Sequence, residues 1–298
     1  ADQEVILSGG VFNTPQLLML SGIGPAAHLK EFGIDCLSDL PVGKNLQDHL
    51  VASNFWTRPN NPSRFREELR FDRLAVSMVR AYLFGTGPAS VVPGGMHAFL
   101  KSTPDQEVAD LEFLFRGAPE NANPWFPGIK KKYLDGFAIR AGIVHPKSRG
   151  EARLRSTDPR DPLVLDFRFL SNNDDLVLLR EGFKLARECA NEKALEPYRG
   201  VELTPGAEIK TNDQIDEYIR NTLGTIEHPA CTCPMGTGPE CVLDPDMKVR
   251  GTEKLRVVDG SALPDLTSAH INSTILMMAE KASDMIRGRD PLPAEHVN

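Results

Sequence analysis

Apolar residues in this chain fall in short blocks separated by glycine, proline and small polar residues, and the spacing inside the blocks changes along the sequence. Residues 4–9 (Glu-Val-Ile-Leu-Ser-Gly) predict a short buried strand. Asn13 or Thr14 can cap the helix that follows, with Pro15 at its first position, Leu17, Leu18 and Leu20 as its apolar face, and Ser21-Gly22-Ile23-Gly24-Pro25 ending it. A second short helix is predicted over 26–32, and 39–49 is a loop punctuated by glycine and proline. Near residue 54 the pattern changes. Residues 68–84 predict a helix with Leu69, Leu74, Val76, Val79 and Leu83 near helical spacing. Strands are predicted at 95–100, 110–115, 137–144, 151–155 and 163–167, with turns such as Ser156-Thr157-Asp158-Pro159 between them, as in an antiparallel sheet. Helices at 173–191 and 212–222, the latter capped by Asn212 or Asp213, complete this region. The last section returns to strand then helix. Leu255–Asp259 is the strand, Gly260-Ser261 a tight turn and 262–268 a crossover. A long helix over 269–287 follows, with Ile275, Leu276, Met278, Ala279, Ala282 and Ile286 inward.

This order predicts α/β plus α+β architecture: an α/β domain entered twice and interrupted by a domain with an antiparallel sheet and flanking helices. With 298 residues, 41% of them hydrophobic, the chain can bury a sizeable core. The balance of 34 basic against 41 acidic residues, net −7, gives no basis for nucleic-acid binding, and the triplet Lys130–Lys132 reads as a solvated loop. No apolar run approaches the roughly 18 residues needed for a membrane span. Five cysteines are few and odd in number, which does not suggest a disulfide framework. A single Asn-x-Ser/Thr sequon without proline, at Asn272, fits a protein that is soluble and not heavily glycosylated. The acidic start, leading directly into a strand, suggests a fragment of a longer protein.

Two stretches can carry chemistry. In Thr225 to Gly236, His228 could be a structural histidine or a proton acceptor. Cys231, Cys233 and Cys241 also admit a zinc-binding module with His228, although structural zinc sites usually pair two separated Cys/His groups and no second pair exists here. In Pro264 to Thr274, Ser268 is placed to cap the last helix, which puts His270 and Ile271 in its first turn. There, amides without intrahelical partners carry the positive end of the helix dipole. Such a terminus can hold an electron-rich group, or it can be a surface cap with an incidental histidine.

Four ordered motifs settle the comparison. Gly10 to Gly24, Val42 to His49 (Val-Gly-Lys-Asn-Leu-Gln-Asp-His), His145 to Gly150, and Val242–Pro245 with Leu255–Ser261 resemble the signatures of the glucose–methanol–choline (GMC) flavin-dependent oxidoreductases. They occur in family order across nearly the whole chain. The chain departs from the family at Val11, where a smaller residue is usual, at Glu227, where an aromatic residue is common, and at Cys231, where glycine is common.

The resemblance implies FAD as cofactor and a small-molecule alcohol as substrate, oxidised to an aldehyde or ketone. His228 takes the hydroxyl proton, hydride passes to flavin N5, and His270 orients the alcohol oxygen. Asp259 and Gly260 would lie along the ribityl–diphosphate chain. The amides near Ile271 and Asn272 would face the pyrimidine edge, which would bury the sequon against the cofactor. Glu227 would either attract a polar or cationic substrate or pair with an arginine. Trp56, Trp125, Phe113 and Phe115 are candidate cavity aromatics better read as core.

The resemblance divides the chain into 1–52 and 223–298, returning parts of a Rossmann-like FAD-binding domain, around a substrate-binding domain at 53–222. The family's N-terminal Gly-x-Gly-x-x-Gly turn is absent from this sequence. The implied partner is therefore the N-terminal FAD-binding portion of the same precursor, in one polypeptide or as a separate chain, without which tight FAD binding is not expected. A non-redox hydroxynitrile lyase on the same scaffold remains the alternative activity, and oxygen or another electron acceptor is equally compatible with the motifs.

Overall fold

A computed structural model describes residues 2–90, 95–119, 121–290 and 293. In chain order the elements are β1 (Val5–Leu7), α1 (Gly10–Leu20), α2 (Ala26–Glu31), β2 (Lys44–Leu46), β3 (Leu50–Thr57), α3 (Arg64–Glu68), α4 (Phe71–Phe84), β4 (Met96–Leu100), β5 (Leu111–Arg116) and β6 (Gly136–Ile143). They continue as β7 (Gly150–Arg153), β8 (Val164–Asp166), α5 (Asn173–Asn191), β9 (Glu202–Thr204), α6 (Asn212–Thr222), β10 (Gly224–Thr225), β11 (Leu255–Val257) and α7 (Asn272–Ile286). Helices and sheets are mixed, and the larger sheets are antiparallel. Two compact units result: Ala1–His49 with Val144–Asn173 and Thr225–Asn298, and Leu50–Ile143 with Asp174–Gly224. Val144–Asn173, inside the middle segment of the sequence reading, packs with the terminal pieces.

In the first unit β1 runs parallel to β11, Val5 opposite Leu255 and Leu7 opposite Val257. Leu18, Met19, Leu29, Val242, Val257 and Met278 belong to one buried cluster beside this pair. β7 and β8 join β2 in a separate antiparallel sheet of three strands rather than extending the larger sheet. α1 begins earlier than the cap expectation, because the side chain of Thr14 is used elsewhere. Its hydroxyl accepts the Gly9 N–H at 3.0 Å and donates to Asp259 at 2.6 Å. Pro15 therefore sits inside the helix, where it lacks the N–H that would reach the carbonyl of Val11. The hydroxyl of Thr232 supplies that missing donor at 2.7 Å.

In the second unit β4, β5, β6 and β3 follow one another in space, and β9, which the residue pattern did not reveal, also pairs with β3. The register places Phe113, Ala141 and Ile139 on one face, and Ala186 and Ala190 of α5 share their buried cluster. Trp56 and Phe115 each stack on Phe137 at 5.4 Å, so these aromatics are core. Trp125 is buried and donates its indole N–H to the Arg66 carbonyl at 2.7 Å. α6 is capped one residue earlier than expected, by Thr211, whose hydroxyl accepts from Gln214 N–H while the Gln214 side chain accepts from Thr211 N–H.

Two helices leave part of their apolar residues exposed. The predicted helix over 68–84 divides into α3 and α4, and within α4 it is Leu74, Ser77 and Ala81 that lose exposure. Val76 is 69% exposed, with Val79 and Leu83 beside it on the outer face. In α7, Met278 and Ala282 are buried, but Leu276 is 60% exposed and Ala279 is exposed too. Helical periodicity identifies a stripe without saying which stripe meets the body. Among the described residues no helix is long and apolar enough to cross a membrane.

Candidate active site

The site lies in the first unit, where a loop and two returning segments are laced together by backbone bonds. Gly43 starts the loop at φ 81°, and a Cβ there would lie 2.1 Å from the Ala152 carbonyl oxygen, so a side chain is excluded sterically as well as conformationally. Its N–H donates to Thr232 at 2.8 Å and its carbonyl accepts from Ala152 at 2.7 Å. Gln47 and Ala230 exchange both backbone bonds, at 3.3 and 3.0 Å, and Ile226 donates to the His49 carbonyl at 3.2 Å. On the other side of the same strip, Cys231, Cys233 and Met235 donate to Gly260, Ser261 and Ala262.

This lacing fixes His228 from two directions. Its backbone N–H donates to the carboxylate of Asp48 at 2.8 Å, and its ring Nδ1 lies 3.1 Å from Nδ1 of His49. Nε2 of His49 lies 2.9 Å from the carbonyl oxygen of Val144. The rings of His228 and His270 meet edge to face, 4.7 Å apart. Both are half-buried, whereas His49 and Asp48 are buried. Glu227 and Cys231 take positive φ, 61° and 71°, so the chain turns sharply on both sides of His228. That left-handed geometry is a physical reason for glycine being common at the Cys231 position. Glu227 itself is exposed and, among the described residues, makes no ion pair, so the expected arginine partner is not found.

The approach to His270 differs from the sequence expectation. Ser268 does not cap the last helix; its hydroxyl lies 2.8 Å from Nε2 of His145 instead. Asn45 donates to the Pro264 carbonyl at 3.0 Å, and Arg149 pairs with Asp265 at 3.2 Å, which ties down the segment ahead of His270. α7 therefore starts at Asn272, and Ile271 precedes it without a side-chain cap. Within this chain Ile271 is buried but Asn272 and Ser273 are exposed, so the sequon is not covered by the chain's own residues.

Asp259 and Gly260 form a second group. The Asp259 carboxylate accepts from Gly10 N–H at 3.0 Å, Thr14 hydroxyl at 2.6 Å, and the N–H and hydroxyl of Ser261 at 2.8 and 2.5 Å. It holds the β1–α1 turn to the turn after β11. Cys231 and Cys233 are buried, and burial pushes both thiols well above their usual range. Among the described residues these cysteines and His228 do not bring metal-ligating atoms together.

Asp48 and His49 lie in the Val42–His49 loop motif, and the motif by itself gives neither of them a role. Two adjacent ionisable residues closing a glycine-bearing loop were the signal available. Burial pushes the Asp48 carboxyl up to about 6, against the backbone N–H groups of His228 and His49 and the Thr225 hydroxyl, which pull it down; the Glu227 charge pushes further up. A raised carboxyl stabilises the fold below the unfolded value of 3.8 and loses that contribution as pH climbs through about 6. Asp48→Asn, which does not titrate, is therefore expected to gain about 3 kcal/mol on wild type between pH 4 and pH 7. Urea denaturation at several pH values checks this, and a pH-independent difference would show that Asp48 does not titrate in that window.

The comparisons with known proteins agree with one another. Residues 1–51 and 146–279 match two family profiles, each described as GMC oxidoreductase. The oxygen-dependent choline dehydrogenase of Brucella canis is 40% identical over 98% of this chain and 53% of its own length. Pyridoxine 4-oxidase from Mesorbium loti superposes with a TM-score of 0.79 at 26% identity, covering 97% of this chain and 52% of that structure. A fungal aryl-alcohol oxidase does so at 0.80 and 27%, covering 95% and 54%. The chain spans about half the length of the curated relatives it matches.

Proposed function

The chain belongs to the GMC oxidoreductases, and on that basis we propose that it carries the proton-handling residues of an FAD-dependent enzyme that oxidises an alcohol to an aldehyde or ketone. The observation that carries the proposal is the apposition of His228 and His270 at 4.7 Å, with His228 anchored by Asp48 and His49. The first unit is the returning part of the flavin domain and the second is the substrate domain. The remaining flavin-binding portion is the implied partner, since the relatives extend to about twice this length.

The residues present fit a flavin. α7 has fifteen residues and no side-chain cap, so the amides of its first turn, at Asn272 and Ser273, offer donors at the positive end of the helix dipole. Gly10, at φ 82°, has open space where a Cβ would stand, so the turn after β1 leaves room for close backbone approach. Asp259 acts indirectly in this scheme, because its carboxylate already holds that turn in place. Bound FAD supplies the acceptor for the hydride that leaves the alcohol carbon.

The work of this chain is proton transfer and orientation. His228 accepts the hydroxyl proton, and an imidazole is suited to that near neutral pH. His270 holds the same oxygen from the second side, so the alcohol carbon has one orientation rather than many. Glu227, exposed at the turn before His228, gives a polar or cationic alcohol an electrostatic reason to approach. His270→Ala in the holoenzyme is expected to slow anaerobic flavin reduction by about 10²-fold. Stopped-flow absorbance measures this, and retention of more than half the wild-type rate would remove His270 from the proposed pair.

A further inference from the structure

We propose that His49 is a positioning residue that dictates which nitrogen of His228 serves as the base, an inference that rests on the function proposed above. Nε2 of His49 lies 2.9 Å from the Val144 carbonyl oxygen, and a carbonyl can only accept, so Nε2 carries a hydrogen. A neutral imidazole has one N–H, which leaves Nδ1 of His49 as an acceptor. That acceptor lies 3.1 Å from Nδ1 of His228. Two ring nitrogens at this distance need one hydrogen between them, and His49 has none to give. His228 therefore carries its hydrogen on Nδ1, and its lone pair is on Nε2.

The consequence is chemical. An unconstrained imidazole distributes its single hydrogen over both nitrogens, and a His228 protonated at Nε2 would offer a donor where the alcohol hydroxyl needs an acceptor. With Nδ1 engaged, Nε2 is the atom that accepts the substrate proton. The O–H bond breaks as the Nε2–H bond forms, and the electron pair stays on the alcohol oxygen. The resulting imidazolium keeps its Nδ1–H bond to His49, which becomes charge-assisted and favours the protonated state. His49 is only 1% exposed, so water does not compete for this bond, and its neighbour Asp48 accepts from the backbone N–H of His228. One loop thus fixes both the position and the hydrogen of the base.

The test is a tautomer measurement on the holoenzyme with 15N-labelled histidine, in wild type, His49→Leu and His49→Asn. Long-range nitrogen–proton couplings are expected to show His228 hydrogenated at Nδ1 and His49 at Nε2 in wild type. His49→Leu removes the acceptor. It is expected to give a mixed His228 tautomer and to lower the anaerobic flavin reduction rate by about 10²-fold with KM little changed. His49→Asn places a carbonyl oxygen near the lost Nδ1, so it is expected to keep the Nδ1-hydrogenated tautomer and most of the rate. A wild-type His228 hydrogenated at Nε2, or a tautomer unchanged in His49→Leu, overturns the proposal. The predicted tautomers in an enzyme whose flavin no alcohol reduces would support the His49 relay and reject the alcohol-oxidation reading instead.

Discussion

Replacing His228 by alanine is expected to abolish alcohol-dependent flavin reduction, with a rate loss of at least about 10³-fold, while the protein stays folded. The loss is large because this ring is the point at which all the anchoring contacts converge. Asp48 holds its backbone, His49 holds Nδ1, and His270 lies against its face. The fold survives because the anchoring of the strip belongs to the backbone. The N–H of residue 228 still reaches Asp48, and the bonds at Gln47, Ala230, Cys231 and Cys233 do not involve the side chain. Substrate binding should persist more than turnover, so the effect falls on the rate rather than on KM. Single-turnover absorbance measurements check this, with far-UV circular dichroism to confirm folding. A variant that keeps most of the wild-type rate would show that another group accepts the proton.

Asp259→Ala should do the reverse and damage the fold before the chemistry. The carboxylate collects four hydrogen bonds in a largely buried position, and two of their donors, Gly10 and Thr14, come from the start of α1 at the opposite end of the sequence. Alanine leaves Gly10 N–H, Thr14 hydroxyl and the two Ser261 donors facing an empty space. A loss of about 3–5 kcal/mol follows from uncompensated buried donors of this kind. Asp259→Asn is expected to be costly too, because its amide group turns a donor towards donors. Urea denaturation followed by circular dichroism measures both, and a loss below about 1 kcal/mol for the alanine variant would mean the turn is held by something else.

Much of this arrangement was legible in the residues, for reasons that differ by element. β11, the turn at Gly260 and the helix after it could be read because a short apolar run, a glycine and a long periodic stretch are separate local signals. The pairing of β2 with β7 could not, because antiparallel partners far apart in sequence leave no local trace. β9 was missed for a related reason: three residues are too few for a period-two pattern to stand out. In α4 the spacing marked a helix without telling which side is inner, and in α7 Met278 and Ala282 face inward as expected while Leu276 and Ala279 do not, since each helix carries apolar residues on more than one side. Ser268 was read as a cap because the local sequence fits one, and the contact with His145 that displaces it joins residues 123 apart.

The site follows the same division. His228 and His270 were found through the family motifs around them, and the structure brings the two rings together. Asp48 and His49 lie in one of those motifs, yet their role depends on a contact with a residue about 180 positions away. No spacing rule could supply that. Cys231 shows the converse case: its departure from glycine was visible in the sequence, but the left-handed backbone that explains the departure was not.

The proposed role of this chain is to carry the base of a flavin-dependent alcohol oxidation. It is tested most directly by mixing the holoenzyme with a panel of primary alcohols under anaerobic conditions and following the flavin absorbance. Bleaching of the oxidised flavin by at least one alcohol is expected, with an aldehyde formed in equal amount. A flavin that stays oxidised across the panel, while the same protein cleaves a cyanohydrin without redox change, would contradict it.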